Sequence, residues 1–289
     1  MAEYTRLISQ AERLIARLEA LLPGAPPECD WTASVAFRWR RQAGAAWLQP
    51  VLHPHRIGLD DLQGIEAQKR RVERNTLQFV RGLPANNVLL TGARGTGKSS
   101  LVKALLNKYA RRGLRLVEVG KHDLMDLPDI VERVAGRPER FIVFCDDLSF
   151  AAEEPGYQAL KAVLDGSVSA PTENVLVYAT SNRRHLMPEY MAENLEASRV
   201  GDEIHPGEAV EEKVSLSERF GLWVSFHPFG QDDYLGIVAH WLGRLGAKPS
   251  PEAERAALQW ALSRGSRSGR VAWQFARDWA GRHGVKARP

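Results

Sequence analysis

The sequence lacks most of what would build a membrane protein, a disulfide-stapled protein or a metal-clustered one. Its two cysteines, Cys29 and Cys145, stand far apart and form no CxxC pair, so neither a disulfide framework nor a zinc site is expected. No apolar run approaches the ~20 residues that a membrane span requires. The longest, near Phe141–Cys145 and Val175–Ala179, are strand-sized. Near the N-terminus Glu12, Arg13, Arg17 and Glu19 interrupt the apolar positions, which excludes a signal-peptide pattern. Internal repeats are missing as well. A cytoplasmic location without a membrane partner is the default expectation.

What is present is the composition of an ordinary globular protein, 44% hydrophobic and 26% charged over 289 residues. That length suffices for one large α/β domain with smaller additions. The net charge of +4 is mild but unevenly spread. Arg264, Arg267, Arg270, Arg277, Arg282, Lys286 and Arg288 face only Asp278, whereas the stretch from Glu189 to Glu218 is rich in acids. A basic tail leaves nucleic acid open as a partner without favouring it, since solvated charged faces are common.

Three pieces are expected: an N-terminal helical extension over 1–58, an α/β domain over 59–228 and a helical domain over 229–289. The first carries a helical stripe at Leu7, Ile8, Ala11, Leu14, Ile15, Leu18, Leu21 and Leu22, stopped by Pro23-Gly24 and Pro26-Pro27. Its spacing fits either a short coiled coil or a helix docked on its own chain. Residues 31–59 are aromatic and basic and carry no motif. His53-Pro54-His55 reads as a linker turn, because no further ligand lies at metal spacing.

In the second piece, β-rich runs alternate with helical patterns, which predicts an αβα sandwich around a mostly parallel five-stranded sheet. The strands expected are Asn87–Thr91, Arg115–Val119, Phe141–Asp146, Val175–Thr180 and Leu222–Phe226. Their apolar runs do not alternate, as befits strands buried on both faces. In the third piece Tyr234, Leu235, Ile237, Val238, Trp241, Leu242 and Leu245 form one helical stripe, and Leu258, Leu262, Val271, Phe275 and Trp279 continue it. The tryptophans here read as bundle core.

The segment Gly92-Ala93-Arg94-Gly95-Thr96-Gly97-Lys98-Ser99 matches GxxxxGK[ST], with Ser100 following. Glycines let the backbone curl so that successive N–H groups face a phosphate chain, and the next helix adds its positive N-terminus. Lys98 can reach the β- and γ-phosphates, and the Ser99 hydroxyl can ligate Mg²⁺. The loop follows a strand-like run and precedes a helical one, the setting the motif needs. A second element lies on a later strand, where Phe141-Ile142-Val143-Phe144-Cys145 runs into Asp146 and Asp147. Asp146 would hold Mg²⁺, and Asp147 would act as the base that orients water. Cys145 reads as an inert buried thiol.

With these motifs in order, the chain from about Leu59 to Trp279 resembles the AAA+ superfamily of ATPases. Asp60-Asp61-Leu62-Gln63-Gly64-Ile65 looks like the segment beside the adenine, and Asn182 resembles sensor 1, which positions the attacking water. Ser215-Leu216-Ser217-Glu218-Arg219-Phe220-Gly221 looks like the arginine-finger segment, with Arg219 reaching a neighbour's site; the alternative for Arg219 is a salt bridge with the acidic stretch. Gly269-Arg270 looks like sensor 2, a role open also to Arg264 and Arg267. Asn86-Asn87 and Glu212-Lys213 are similar to one bacterial family of predicted ATPases of unknown function. The resemblance implies ATP and Mg²⁺ as cofactors, a homo-oligomer and a protein client. Two departures stand out. Asp147 replaces the usual Glu, and Gly120–Pro128 lacks the aromatic of polypeptide-threading members. The leading expectation is an ATPase that couples hydrolysis to lid movement and remodelling. A slow nucleotide-dependent switch or DNA-associated adaptor is the alternative, and a P-loop kinase is a third.

Overall fold

The computed structural model describes residues 4–10, 12–13, 28–42, 44–150, 155–166, 173–182, 198–200, 203–205 and 216–285. Residues 4–10 are helical. The rest of the N-terminal stripe, the prolines that end it, Glu212-Lys213 and Ser215 lie outside the described residues.

The five expected strands form, as β3 (Val88–Gly92), β4 (Leu114–Val119), β5 (Arg140–Cys145), β6 (Val175–Ser181) and β9 (Leu222–Phe226). They are mutually parallel in the order β4-β5-β6-β3-β9. Val88, Leu89 and Leu90 in β3, like Phe141 to Phe144 in β5, have no exposed surface. Both faces are covered, which is why these runs are continuously apolar. Helices α1 (Glu66–Val80) and α2 (Lys98–Tyr109) belong to the core on one face, and α3 (Leu127–Val134) and α4 (Pro155–Asp165) to that on the other.

The sheet nevertheless has seven strands rather than five, and this corrects the reading of residues 1–58 as a helical extension. Residues 36–50 are a hairpin of β1 (Ala36–Gln42) and β2 (Ala45–Pro50), and β1 adds in parallel to β4. Phe37 and Trp39 are buried while Arg38 and Arg40 point the other way, the period-2 alternation of a strand covered on one side. Arg38 lies opposite Glu118 of β4 and donates two hydrogen bonds to its carboxylate, at 2.7 and 2.9 Å. The Trp39 indole N–H is satisfied by Asp126 at 2.9 Å. A short antiparallel pair, β7 (Ser198–Val200) and β8 (Glu203–His205), lies in the acid-rich stretch.

The Asn86-Asn87 pair has a structural task. Asn75 exchanges two hydrogen bonds with the Asn86 backbone, and the Asn87 side chain accepts from Val177 N–H at 2.8 Å, so α1, β3 and β6 are laced together. Beyond β9 come α5 (Gln231–Leu245), α6 (Pro251–Ser263) and α7 (Gly269–Arg282). Ser250 and Ser268 cap α6 and α7 by accepting from the backbone N–H three residues on. Among the described residues no helix is long and apolar enough to cross a membrane.

Candidate functional site

The site begins where β3 ends. Gly92 has φ 128°, and a Cβ there would sit 1.9 Å from the Phe226 carbonyl oxygen. Only glycine fits so close an approach. Gly92→Ala is therefore expected to cost more than about 2 kcal/mol of stability, read as a lowered melting temperature in a purified variant. Gly95 and Gly97 also take positive φ, at 74° and 96°, and Gly97 is the N-cap of α2.

The loop curls around the ammonium of Lys98. Its Nζ donates to the Gly92 and Ala93 carbonyls at 2.7 Å each and to Asn182 Oδ1 at 3.1 Å. Thr96 Oγ1 donates to the Ala93 carbonyl at 2.8 Å, tightening the same turn. Lys98 is 6% exposed, and burial pushes its pKa below the usual lysine range. The nearby Asp147 and Asp146 carboxylates oppose that shift, while Arg94 adds to it.

Across the loop, at the end of β5, Asp146 Oδ1 accepts from Ser99 Oγ and from Thr180 Oγ1, both at 2.6 Å. The Asp147 N–H donates to Thr180 Oγ1 at 2.9 Å, and Asn182 Nδ2 donates to the Asp147 carboxylate. Asp147 has φ 54°, the one non-glycine with positive φ among the described residues. That conformation is uncommon for a side chain but least costly for Asp and Asn. Cys145, just before, is fully buried, and burial raises its thiol to about 12, so it stays a protonated hydrophobe.

Ser99, Asp146, Thr180, Asp147, Asn182 and Lys98 thus form a continuous hydrogen-bonded circuit whose two ends, Lys98 and Ser99, are joined by their peptide bond. Their donor set suits Mg²⁺, which takes hard oxygen ligands and is bound by one or two side chains together with phosphate. A hydroxyl and a carboxylate oxygen stand 2.6 Å apart at Ser99 and Asp146. Among the described residues no group of three or more His, Cys, Asp or Glu could hold a metal alone. The arrangement fits an ion that arrives with a phosphate chain.

A cavity of about 1100 Å³ opens over this circuit. Arg94, Gly95, Thr96, Gly97, Ser99 and Ser100 line it beside Lys98, Asp146, Asp147 and Asn182. Arg270 of α7 lines it too, and Arg264 and Arg267 do not; Arg264 lies over the Trp260 ring, 5.1 Å from its centroid. The start of α7 touches the loop directly, since Gly269 N–H donates to the Gly95 carbonyl at 2.8 Å. From the segment before α1, Asp61, Leu62, Gln63 and Ile65 join the wall. Asp61 is 7% exposed and binds Arg244 Nε of α5 at 3.2 Å, His240 at 3.4 Å and Gly58 N–H at 2.8 Å.

Arg219 is placed elsewhere. It follows a helical turn at 216–218, is not part of the cavity wall, and its Nε donates to Asp165 at the end of α4 at 2.6 Å. The salt bridge it forms is with Asp165, which lies outside the acidic stretch named for the alternative. Sequence reasoning missed Trp241, Arg244 and Trp273 as cavity residues. Trp241 and Arg244, like Arg270 and Trp273, are three apart and share a helix face. That spacing was the available signal, hidden because an aromatic stripe on a helix usually means core.

None of the curated proteins matches the chain. Among solved structures, the RuvB Holliday junction branch migration motor of Thermotoga maritima is 14% identical with a TM-score of 0.52, over 80% of this chain and 67% of that one. A mutant form of the same protein gives 0.54 at 14% identity, again over 80% and 67%. The Aeropyrum pernix ORC1 protein in complex with DNA is 18% identical with a TM-score of 0.54, over 79% of this chain and 63% of that one. At such identity the likeness shows the fold alone, and the fold is that of AAA+ P-loop proteins. In sequence, residues 32–283 match one family model over most of the chain, and the chain belongs to that family, the protein of unknown function DUF815.

Proposed function

We propose that this chain is an AAA+ ATPase that binds ATP with Mg²⁺, hydrolyses it, and passes the change to the three-helix lid and to a neighbouring copy. The single observation that carries the proposal is the continuous hydrogen-bonded path from Lys98 through Asn182, Asp147, Thr180 and Asp146 to Ser99. Each group in it faces the cavity that the P-loop floors or supports one that does. Lys98 would exchange loop carbonyls for β- and γ-phosphate oxygens. Ser99 and Asp146 would hold Mg²⁺, which neutralises phosphate charge when bound. Asp147 would accept the proton of the attacking water, with Asn182 fixing both the carboxylate and the water. Arg270, on a helix tied to Gly95, would report the γ-phosphate to the lid. Arg219 would serve a neighbouring copy, so the active form is a homo-oligomer acting on a protein client. The nucleotide-binding unit is taken as 59–228 together with the hairpin, and the lid as 229–289.

The test is product analysis on the parent and on Lys98→Ala. The parent should release free phosphate from ATP without any acceptor, with Mg²⁺ required. Lys98→Ala should lose about 10²–10³ in turnover, the usual consequence of deleting one charge-stabilising donor. Phosphate transferred only to an added acceptor would identify a kinase, and an unchanged rate in Lys98→Ala would remove the P-loop assignment.

A second reading, a slow switch or DNA-associated adaptor, has one observation in its favour. Asp147 is a methylene shorter than the Glu expected in its place, which favours long-lived loading over rapid turnover. Two structural neighbours, a branch migration motor and a protein solved with DNA, give that reading a nucleic-acid partner to test.

A further inference from the structure

The phosphate loop and the lid meet backbone to backbone. Gly269 N–H donates to the Gly95 carbonyl at 2.8 Å, and a Cβ on Gly269 would stand 3.2 Å from that same oxygen. A Cβ on Gly95 would lie 2.8 Å from the Ser268 side chain and 3.6 Å from Arg270 Cβ. Two glycines therefore let α7 start against the loop, and the close approach brings two arginines with it. Arg94 precedes Gly95 and Arg270 follows Gly269, so each strand of the contact carries one. Both line the cavity, and neither takes part in a hydrogen bond or an ion pair among the described residues. The carboxylates of the cavity wall do not answer these charges. Asp146 accepts from Ser99 and Thr180, Asp147 from Asn182, and Asp61 is bound to Arg244. Lys98 is a third cation in the same neighbourhood: burial first, and the Arg94 guanidinium after it, hold its pKa down. Like charges gathered without a counter-charge oppose one another, and a polyanion is the ligand that relieves them.

We propose that the Arg94 side chain is a second terminal-phosphate cation of this site, carried by the phosphate loop itself, and that beside Arg270 it makes the site select triphosphates over diphosphates. The inference rests on the nucleotide reading above and deepens it. The loop's backbone N–H groups serve the inner phosphates, and Lys98 reaches outward from them. Arg270 is the lid group that reports the γ-phosphate in that reading, and Arg94 is separated from it by the Gly95–Gly269 contact alone. A guanidinium stays charged and offers a planar fork that matches two oxygens of one phosphate. The terminal phosphate carries more charge and more free oxygens than any other in the chain, so it is the group that two forks can share. A diphosphate ends one phosphate short and leaves the two arginines unrelieved. Holding Arg94 and Arg270 on either side of one backbone contact also places both forks before a ligand enters, which lowers the ordering cost of binding.

The experiment is calorimetric titration of the full chain, at saturating Mg²⁺, with ADP and with an ATP analogue whose β–γ bridge is an imido group and is not hydrolysed. The parent should bind the analogue more tightly than ADP. Arg94→Ala should lose roughly 10- to 150-fold in affinity for the analogue, the range for a hydrogen bond to a charged group, and keep its affinity for ADP. Arg94 does not have a positive φ, so alanine leaves the loop backbone unstrained. Arg94→Lys, which keeps the charge and loses the fork, should recover part of the loss. Unchanged affinity for the analogue in Arg94→Ala, an equal loss for the analogue and ADP, or a lysine variant as weak as the alanine one would each overturn the inference and leave the P-loop reading intact. Failure of the parent to bind either ligand would overturn both.

Discussion

In the Arg219→Ala protein, nucleotide affinity should persist while hydrolysis falls by about 10³-fold, as for fingers supplied by a neighbouring chain. The reason is its placement. Arg219 stands outside the cavity wall and is bound to Asp165 at 2.6 Å, so its guanidinium does not serve the phosphates of its own loop. An arginine stays charged at every working pH, and its planar fork matches two phosphate oxygens at once. The Asp165 pair is partly exposed, with side chains 23% and 45% accessible. Such a pair contributes about 0–1 kcal/mol, so its loss should hardly move the melting temperature. The decisive measurement mixes Arg219→Ala with Lys98→Ala. One protein then lends an intact loop and the other an intact finger, and part of the activity returns at shared sites. Full activity in Arg219→Ala alone, or no recovery in the mixture, would confine Arg219 to contacts within its own chain.

The phosphate loop and the two carboxylates after β5 were legible in the sequence because their chemistry constrains residue type. A Cβ at Gly92 would strike the Phe226 carbonyl, and a hydroxyl at Ser99 must meet the carboxylate at Asp146. The five parallel strands were legible for a different reason: burial on both faces leaves an uninterrupted apolar run. The hairpin β1–β2 was not. Its arginines Arg38, Arg40 and Arg41 mask the alternation of Phe37 with Trp39, and the partner that makes Arg38 tolerable, Glu118, is 80 residues away. Distance along the chain also hid the partners of Asp61, since His240 and Arg244 lie on the lid. The tryptophans of the lid show a limit of periodicity. A helical stripe identifies the side of a helix that leaves water, but it does not say whether that side meets another helix or a cavity. Tyr234 and Leu242 meet helices, and Trp241, on the same stripe, meets the cavity.

Asp147→Asn should bind ATP with Mg²⁺ and remain loaded, with hydrolysis reduced by about 10²–10⁴-fold, the contribution of a positioned general base. The amide is nearly isosteric with the carboxylate, so the contacts to Thr180 and Asn182 can persist while the proton acceptor is lost. The backbone makes this position informative. Its φ of 54° is held by two hydrogen bonds into β6, from Asp147 N–H to Thr180 Oγ1 at 2.9 Å and from Leu148 N–H to the Thr180 carbonyl at 2.7 Å. Unusual backbone held by its surroundings directs the side chain into the cavity. A shorter acid there stands farther from the attacking water than a Glu would, and about an ångström of misplacement costs on the order of a hundredfold. Asp147→Glu should therefore match or exceed the parent, whose own turnover should be low. Single-turnover hydrolysis on the three proteins at saturating Mg²⁺ reads all of this at once. If Asp147→Asn hydrolyses as fast as the parent, Asp147 is not the base, and its place in the circuit is to hold Asn182 against Lys98.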